Sequence, residues 1–271
     1  MEAILATVSF ICFVIFLLPI KTRNYFAIIA WSCLLASVFA NFPKYIYENN
    51  IAYPALALIS IPLLLITARN ILKENETVLA VTKGTAVAFL IFAPFAYVEQ
   101  IGNLLIFANV EVISFILDSI GFTYTMSAPD MFLHDIFQVE IILACTGIQA
   151  IAIMLGLTFA IPSTTRQKAL SIAVVVPVIV IMNLFRSLFV IITYTEQWFP
   201  YFPEIASNGN YGYESFFWAH NIISEFGISL ITIIIVIYTL ILINPGIKDF
   251  MAKTLSLYIG ELRQMAGKNN P

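Results

Sequence analysis

Long apolar stretches of this chain contain a thiol at Cys145, a guanidinium at Arg186, an imidazole at His220 and a carboxylate at Glu225. An ionisable side chain inside a membrane span costs roughly 2.5–3.5 kcal/mol on insertion scales, so each one calls for a partner or a job. Together these types suit nucleophilic acyl transfer. A thiolate attacks acyl carbons well, but a thiol in apolar surroundings stays protonated unless an imidazole or a cation favours the charged form. His220 can take the Cys145 proton and later return it to a leaving amine. Arg186, with a pKa above ~12, is no base, but it can favour the thiolate and stabilise the oxyanion of a tetrahedral intermediate. Glu225 would keep Arg186 aimed and partly neutralised. Asn183, one turn before Arg186, and Gln149, one turn after Cys145, share their helix faces and equally suit interhelical hydrogen bonding.

Each residue alone has a plainer reading. A single Cys in a membrane helix is usually a small packing residue, and Cys12 and Cys33 are read so. His134 reads as an interfacial histidine. Arg186 and Glu225 can simply pair and lock two helices together. Other hydrolytic chemistries leave marks that the sequence lacks: His220 opens His-Asn-Ile-Ile-Ser-Glu rather than H-E-x-x-H, and there is no G-x-S-x-G elbow or P-loop. Two histidines argue against a metal centre, and no cofactor is implied.

The elements that must position these groups follow from composition. Of 271 residues, 61% are hydrophobic and only 11% charged, against roughly 25% charged in a soluble domain. A water-soluble globule and intrinsic disorder are both excluded. A net charge of −3 gives no basic face for nucleic acid, and three scattered cysteines form no disulfide framework. The expected fold is an all-α polytopic membrane protein. A hydrocarbon core needs about 20 apolar residues per helix, which yields seven spans near 3–20, 25–41, 51–68, 79–98, 139–161, 169–195 and 216–243. The first lacks a positive n-region and a small-residue cleavage site, so it is expected to be retained.

Eleven of the 13 basic residues fall on one side of this arrangement: Lys21 and Arg23, then Arg69, Lys73 and Lys83, then Arg166 and Lys168, and finally Lys248, Lys253, Arg263 and Lys268. Lys44 alone falls on the other, and Arg186 lies within the sixth span. Because cytoplasmic loops collect Lys and Arg, the N-terminus is expected outside and the C-terminus inside. Counting along ideal helices from the outer surface puts Arg186 and Glu225 about 13 Å deep, Cys145 about 9 Å and His220 about 6 Å.

The stretch 103–121 spaces Glu111, Ser114 and Asp118 at i, i+3 and i+7, one polar face, and is expected to lie on the outer surface as an interfacial helix. An outer hairpin around Ser127-Ala128-Pro129-Asp130 would lead directly into the fifth span. The tail spaces Ile247, Met251, Leu255, Tyr258, Leu262 and Met265 at helical intervals, as for a helix on the inner membrane surface. The chain thus reads as one membrane domain over 1–271: four helices in 1–98, the outer helix and hairpin in 99–138, a three-helix catalytic region in 139–243 and an amphipathic tail in 244–271.

Ala144-Cys145-Thr146-Gly147-Ile148-Gln149-Ala150-Ile151-Ala152 resembles the nucleophile segment A-C-[ST]-G-[IL] of the exosortase/archaeosortase family of membrane cysteine transpeptidases. Asn183-Leu184-Phe185-Arg186-Ser187 is similar to that family's N-x-x-R-N stretch, with Ser187 in place of the usual Asn, and Ala219-His220-Asn221 to its third motif. The resemblance covers roughly 122–243, and the first four helices add only hydropathy. It implies Cys145 as nucleophile through a thioester, with Arg186 and His220 as its catalytic partners and Asn183, Gln149, Asn221 and Glu225 in support. The implied substrates are exported proteins, such as surface-layer glycoproteins, with a C-terminal signal made of a short motif of the Pro-Gly-Phe type, a transmembrane helix and a basic tail. A membrane lipid is the implied acyl acceptor, at the outer face of an archaeal cell membrane. The outer helix, the hairpin and the aromatic loop Trp198–Phe217 would cover the site and limit water.

Three alternatives remain open from the residues themselves. One is a sortase of another recognition type that ends in hydrolysis. Another is a transporter whose Arg186 and Glu225 line an ion or anionic-lipid path, although matched broken helices or inverted repeats are lacking. The third is a scaffold held by that ion pair.

Overall fold

The computed structural model describes residues 2–40, 42, 52–207 and 209–267. Lys44, Asn208 and Lys268, and the expected span ends at 41 and 51, lie outside the described residues. Helices α1 (Glu2–Leu17), α2 (Arg23–Ala40), α3 (Ala52–Leu72), α4 (Glu76–Tyr97) and α5 (Glu99–Ser119) precede strands β1 (Thr125–Ala128), β2 (Met131–His134) and β3 (Phe137–Glu140). A 3-10 turn over Leu143–Thr146 leads to α6 (Ile148–Ala160), α7 (Thr165–Thr195), the short α8 (Pro203–Ala206), α9 (Tyr213–Ile243) and α10 (Gly246–Met265). The molecule is an all-α polytopic membrane protein with one small sheet. Among the described residues, α2, α4, α5, α7 and α9 are long and apolar enough to cross a membrane, and Ile4–Leu17, Ala57–Leu72 and Ile148–Ala160 are shorter apolar helices. In lipid only a helix satisfies its own backbone groups, which is why apolar stretches of this length wind up.

The expected helix over 139–161 is corrected. Its first part is strand β3, and the helix begins only at Ile148. Cys145 therefore sits on the 3-10 turn ahead of the helix, and the depth counted along a helix from Val139 does not apply to it. The hairpin is corrected as well. Asp135 takes a left-handed conformation (φ 51°), which Asp tolerates, and breaks the second expected strand into two. The result is an antiparallel meander of order β1-β2-β3 with Met131 opposite Glu140 and His134 opposite Phe137. The seventh helix starts four residues earlier than expected because Thr164 and Gln167 form a capping box: Thr164 N–H donates to Gln167 Oε1 at 2.9 Å and Gln167 N–H to Thr164 Oγ1 at 3.2 Å.

Contacts divide the chain into two compact units. The first comprises Met1–Ala93, Leu155–Lys168 and Ile243–Pro271. Phe13 lies at its centre, fully buried, edge-on to Trp31 at 6.0 Å and to Phe89 at 5.8 Å, with Cys12 buried among them. Cys12 is thus the packing residue that the sequence suggested. In the same unit α10 is anchored to α3: the Tyr258 and Thr67 hydroxyls are 2.6 Å apart and Arg69 pairs with Glu261 at 3.4 Å. The expected apolar stripe of the tail holds at Ile247, Met251, Tyr258 and Leu262, which are buried or half-buried, and is corrected at its other two positions. Ile247 and Leu257 pack inward, while Leu255 and Met265 are exposed, because the polar contacts of Tyr258 and Glu261 set the rotation of the helix.

The second unit comprises Pro94–Met154 and Ala169–Leu242. The sheet packs on α5 and α7 through Ile113, Leu117, Phe132, Val139, Ile141 and Ile191. The polar face of α5 lines an open groove of about 710 Å³, where Glu111, Ser114 and Asp118 face Met126 and Ala128 of β1. His134 is tied down rather than free at an interface: Nδ1 meets the Thr123 carbonyl, Nε2 lies 3.3 Å from Glu196, and the ring packs 4.9 Å from Phe122.

In the first unit α4 and α6 approach through small residues. A Cβ on Gly156 would lie 2.5 Å from the Gly84 carbonyl oxygen and 2.8 Å from Ala88 Cβ, and one on Gly84 would lie 2.9 Å from Ala160 Cβ. Gly84 with Ala88, and Gly156 with Ala160, form facing small-x-x-x-small pairs. Gly156→Leu is expected to cost about 1–3 kcal/mol by overpacking, measured as a lower unfolding temperature of the detergent-solubilised protein; an unchanged temperature would contradict this packing.

Candidate active site

The site is built on the junction between β3 and α6. After Glu140 the chain stays extended through Ile142 (φ −99°, ψ 171°), tightens into the 3-10 turn that carries Cys145, and reverses at Gly147 (φ 77°, ψ 0°). Only glycine adopts that conformation without strain. A Cβ at Gly147 would also meet Ile179 Cγ2 at 3.2 Å and Asn183 Cβ at 3.3 Å on α7. Buried Thr146 donates to the Leu143 carbonyl at 2.7 Å and accepts from Ile148 N–H at 3.4 Å, so it caps the start of α6. Asn183, buried on α7, donates through Nδ2 to the carbonyl oxygen of Cys145 itself. The asparagine one turn before Arg186 thereby ties the backbone of the thiol residue to the helix that presents the guanidinium.

Cys145, Arg186 and His220 line one cavity of about 370 Å³. Its first wall is the run Gln138–Ile142, which is β3 and its extension. Its second is α7, through Arg186, Ser187, Val190 and Tyr194, and its third is α9, through Tyr213, Phe216 and His220. Cys145 is half-buried and packs against the apolar cluster beneath the sheet. A continuous aromatic contact holds the histidine. Its ring stacks on Phe216 at 4.9 Å with an 8° interplanar angle, Phe216 meets Tyr194 edge-on at 5.3 Å, and Tyr194 meets Phe137 of β3 at 5.3 Å. His220 Nδ1 lies 2.8 Å from Asn221 Oδ1. In the tautomer whose Nδ1–H donates to that oxygen, Nε2 keeps its lone pair and can accept a proton.

The remaining candidates separate. Gln149 and Asn183 line a smaller cavity of about 130 Å³ with Arg186, Ser229 and Thr232, so Arg186 borders both spaces. Glu225 is exposed, and among the described residues the ion pairs are Arg69–Glu261 and those of His134 with Asp135 and Glu196; Arg186–Glu225 is not one of them. The cause lies in the helix. Residues Phe217–Ile228 are wound with i→i+5 hydrogen bonds, a form associated with functional sites. The buried positions run Ser215, Ala219, Ser224, then Thr232, Val236 and Leu240; the five-residue step from Ala219 to Ser224 belongs to that wider turn. The expected pairing of Glu225 with Arg186 came from counting depth along an ideal α-helix, which this segment is not.

Sequence reasoning missed Thr146 and Gly147 as the shapers of the turn, and Tyr194, Phe216 and the β3 residues as the cavity's walls. Gly147, two residues after the candidate nucleophile, was the available signal for the turn. The aromatic contacts join residues of three separate elements and left no local mark.

Residues 2–203 match the family model described as "Transmembrane exosortase (Exosortase_EpsH)". The chain belongs to the transmembrane exosortase family. The match takes in the N-terminal helices, which hydropathy alone had described, together with Cys145 and Arg186, and stops short of His220. The chain is similar to archaeosortase A of Haloferax volcanii, 27% identical over 161 residues, which cover 54% of this chain and 52% of that protein. It is also similar to archaeosortase A of Natronomonas pharaonis, 26% identical over 167 residues, covering 57% of this chain and 53% of that one. The chain thus spans about half the length of the curated relatives it matches. No solved structure matches it.

For this exosortase the junction geometry makes a direct prediction. Gly147→Ala forces a Cβ into the left-handed region, at about 1–2 kcal/mol, and against Asn183. Expected are a lower unfolding temperature and altered maleimide labelling of Cys145 in a Cys12→Ala/Cys33→Ala background; unchanged labelling would show that Gly147 does not set the thiol's position.

Proposed function

We propose that this chain is a membrane cysteine transpeptidase that cuts the C-terminal sorting signal of exported proteins and passes the new C-terminus to a membrane lipid. The observation that carries this reading is the shared cavity of Cys145, Arg186 and His220. His220 Nε2 takes the Cys145 proton as Sγ attacks the scissile carbonyl carbon. Arg186 stabilises the resulting oxyanion. The C–N bond breaks, the imidazolium returns its proton to the leaving amine, and the acyl group stays on Cys145 as a thioester. A lipid nucleophile then attacks that carbonyl, its proton goes to His220, and the thiolate leaves. Asn221 fixes the imidazole tautomer, and Asn183 and Gln149 position the two segments that carry Cys145 and Arg186.

In this reading the 271 residues act as one multi-pass enzyme of an archaeal cell membrane, with the N-terminus and active site outside and the basic tail inside, as the one-sided Lys and Arg distribution supports. The substrates are surface proteins, such as surface-layer glycoproteins, with a Pro-Gly-Phe motif, a transmembrane helix and a basic tail. The loop Trp198–Phe217 limits water at the thioester. Three bonds support its closed arrangement: Ser215 Oγ donates to the Thr193 carbonyl at 3.1 Å, Phe199 N–H to Ser215 Oγ at 3.3 Å and Trp218 Nε1 to the Tyr201 carbonyl at 2.9 Å. The transporter and scaffold readings depended on an Arg186–Glu225 pair and lose that footing.

The test is co-expression with a secreted reporter that carries a Pro-Gly-Phe signal, a helix and a basic tail, read by intact mass. Wild type is expected to yield a truncated, lipid-bearing reporter, while Cys145→Ser leaves it intact with normal membrane insertion. Wild-type processing by Cys145→Ser would remove the nucleophile assignment. Arg186→Lys keeps the charge but loses the planar fork and is expected to lower processing at least about tenfold, approaching the roughly 10²–10³-fold cost of a lost oxyanion donor; full activity would reduce Arg186 to a structural cation.

A further inference from the structure

The wall of the cavity beside Cys145 is the free edge of a sheet. β3 is the last strand in the order β1-β2-β3. Ile141 N–H donates to the Asp130 carbonyl at 2.8 Å, which fixes the phase of the antiparallel ladder. Counting back in steps of two along the register, Val139 opposite Phe132 and Phe137 opposite His134 are the hydrogen-bonded pairs. Gln138 opposite Leu133 and Glu140 opposite Met131 are therefore the non-bonded pairs, and their N–H and C=O groups point away from β2. Among the described residues no other backbone group bonds to them. Gln138, Glu140 and Ile142 are exposed, whereas Val139 and Ile141 are buried in the cluster beneath the sheet, and the whole run 138–142 faces the cavity.

Resting on the transpeptidase reading, we infer that the substrate's recognition segment binds this cavity as an added β-strand on the open edge of β3, paired to the main-chain groups of Gln138 and Glu140. Strand addition suits the task. An exposed edge offers a row of unpaired donors and acceptors to an extended peptide, and alternate side chains then supply specificity. Here the edge ends at Ile142, whose carbonyl accepts from Cys145 N–H at 2.8 Å. The strand that receives the substrate is continuous with the turn that carries the thiol, so register on the edge sets which peptide bond reaches Cys145. Glu140 and Gln138 present the alternate side chains on this wall, and Tyr194, Phe216 and His220 close the opposite side.

The test uses the full chain in detergent, with Cys145→Ala for binding and wild type for turnover. The probe is a fluorescent peptide with a Pro-Gly-Phe motif behind a short polar stretch, synthesised with each backbone N–H methylated in turn. Strand pairing predicts a two-residue alternation, with methylation at every other position weakening binding about three- to tenfold, the scale of one hydrogen bond, and little change between. Gln138→Pro and Glu140→Pro remove only an outward N–H, since the ladder to β2 uses Phe137, Val139 and Ile141. Each is expected to bind the probe at least about threefold more weakly than the alanine variant at the same position, which keeps its N–H. The methylation scan leaves the protein untouched and decides the matter even where a proline variant misfolds. A flat or non-alternating scan overturns strand addition while leaving normal cleavage, and with it the transpeptidase reading, intact. Alternating binding with no cleavage by wild type keeps the docking mode and removes the transpeptidase reading. No binding to Cys145→Ala overturns the inference.

Discussion

The left-handed turn at Gly147 is the constraint on which the rest of the site depends. It ends one kind of structure and begins another: before it the backbone is strand and 3-10 turn, and after it an apolar helix. A nucleophile inside a straight helix has its backbone groups fully used and its side chain directed by the helical period. At this junction the Cys145 carbonyl is released from any helix and goes to Asn183. The thiol's position is thus set from α7, the helix that also presents Arg186. Close contact between Gly147 and Asn183 makes the two requirements one, since the bond forms only if the turn can press against α7 without a Cβ between them.

The histidine is held by different means. Stacked aromatic faces and edges run from Phe137 of β3 through Tyr194 and Phe216 to the His220 ring. Such pairs are worth about 0.5–1.5 kcal/mol beyond their buried area, and in series they couple the ring's orientation to the strand that leads to Cys145. The i→i+5 winding of Phe217–Ile228 completes the placement. It keeps Ala219 and Ser224 on the packed side and turns Glu225 outward, so among the described residues Arg186 faces the cavity without an ion-pair partner. A guanidinium free of a salt bridge is better able to stabilise an oxyanion than one already paired.

Sequence carried the helices because their physics is local. Apolar length and the family motifs around Cys145 and Arg186 are each contained in a short window. Strand β3 was legible only as the end of a longer second strand of the hairpin; the left-handed turn at Asp135 splits that run, and pairing with β2 makes its second half a strand of its own. Glu225 failed for a different reason: the depth count that put it level with Arg186 assumed an ideal α-helix through a segment that is wound wider. The tail departs from its expected stripe at Leu255 and Met265, where the polar contacts of Tyr258 and Glu261 with α3 partners far away in sequence help to set which side packs. For the tail, periodicity gave the element and long-range contacts decided its face.

Non-helical backbone is rare at membrane depth, because unpaired N–H and C=O groups have no water to bond. The groups between β3 and α6 are nonetheless largely accounted for. The inner edge of β3 pairs with β2, Ile141 N–H with Asp130, the Ile142 carbonyl with Cys145 N–H, the Leu143 carbonyl with Thr146, and the Cys145 carbonyl with Asn183. Among the described residues the outer edge at Gln138 and Glu140 has no backbone partner, and it opens on the cavity. Irregular backbone is tolerated where it lines such a space. The same space holds the thiol, the guanidinium and the imidazole. In the proposed transpeptidase, these main-chain groups lie where an extended peptide would have to sit for Cys145 to reach it.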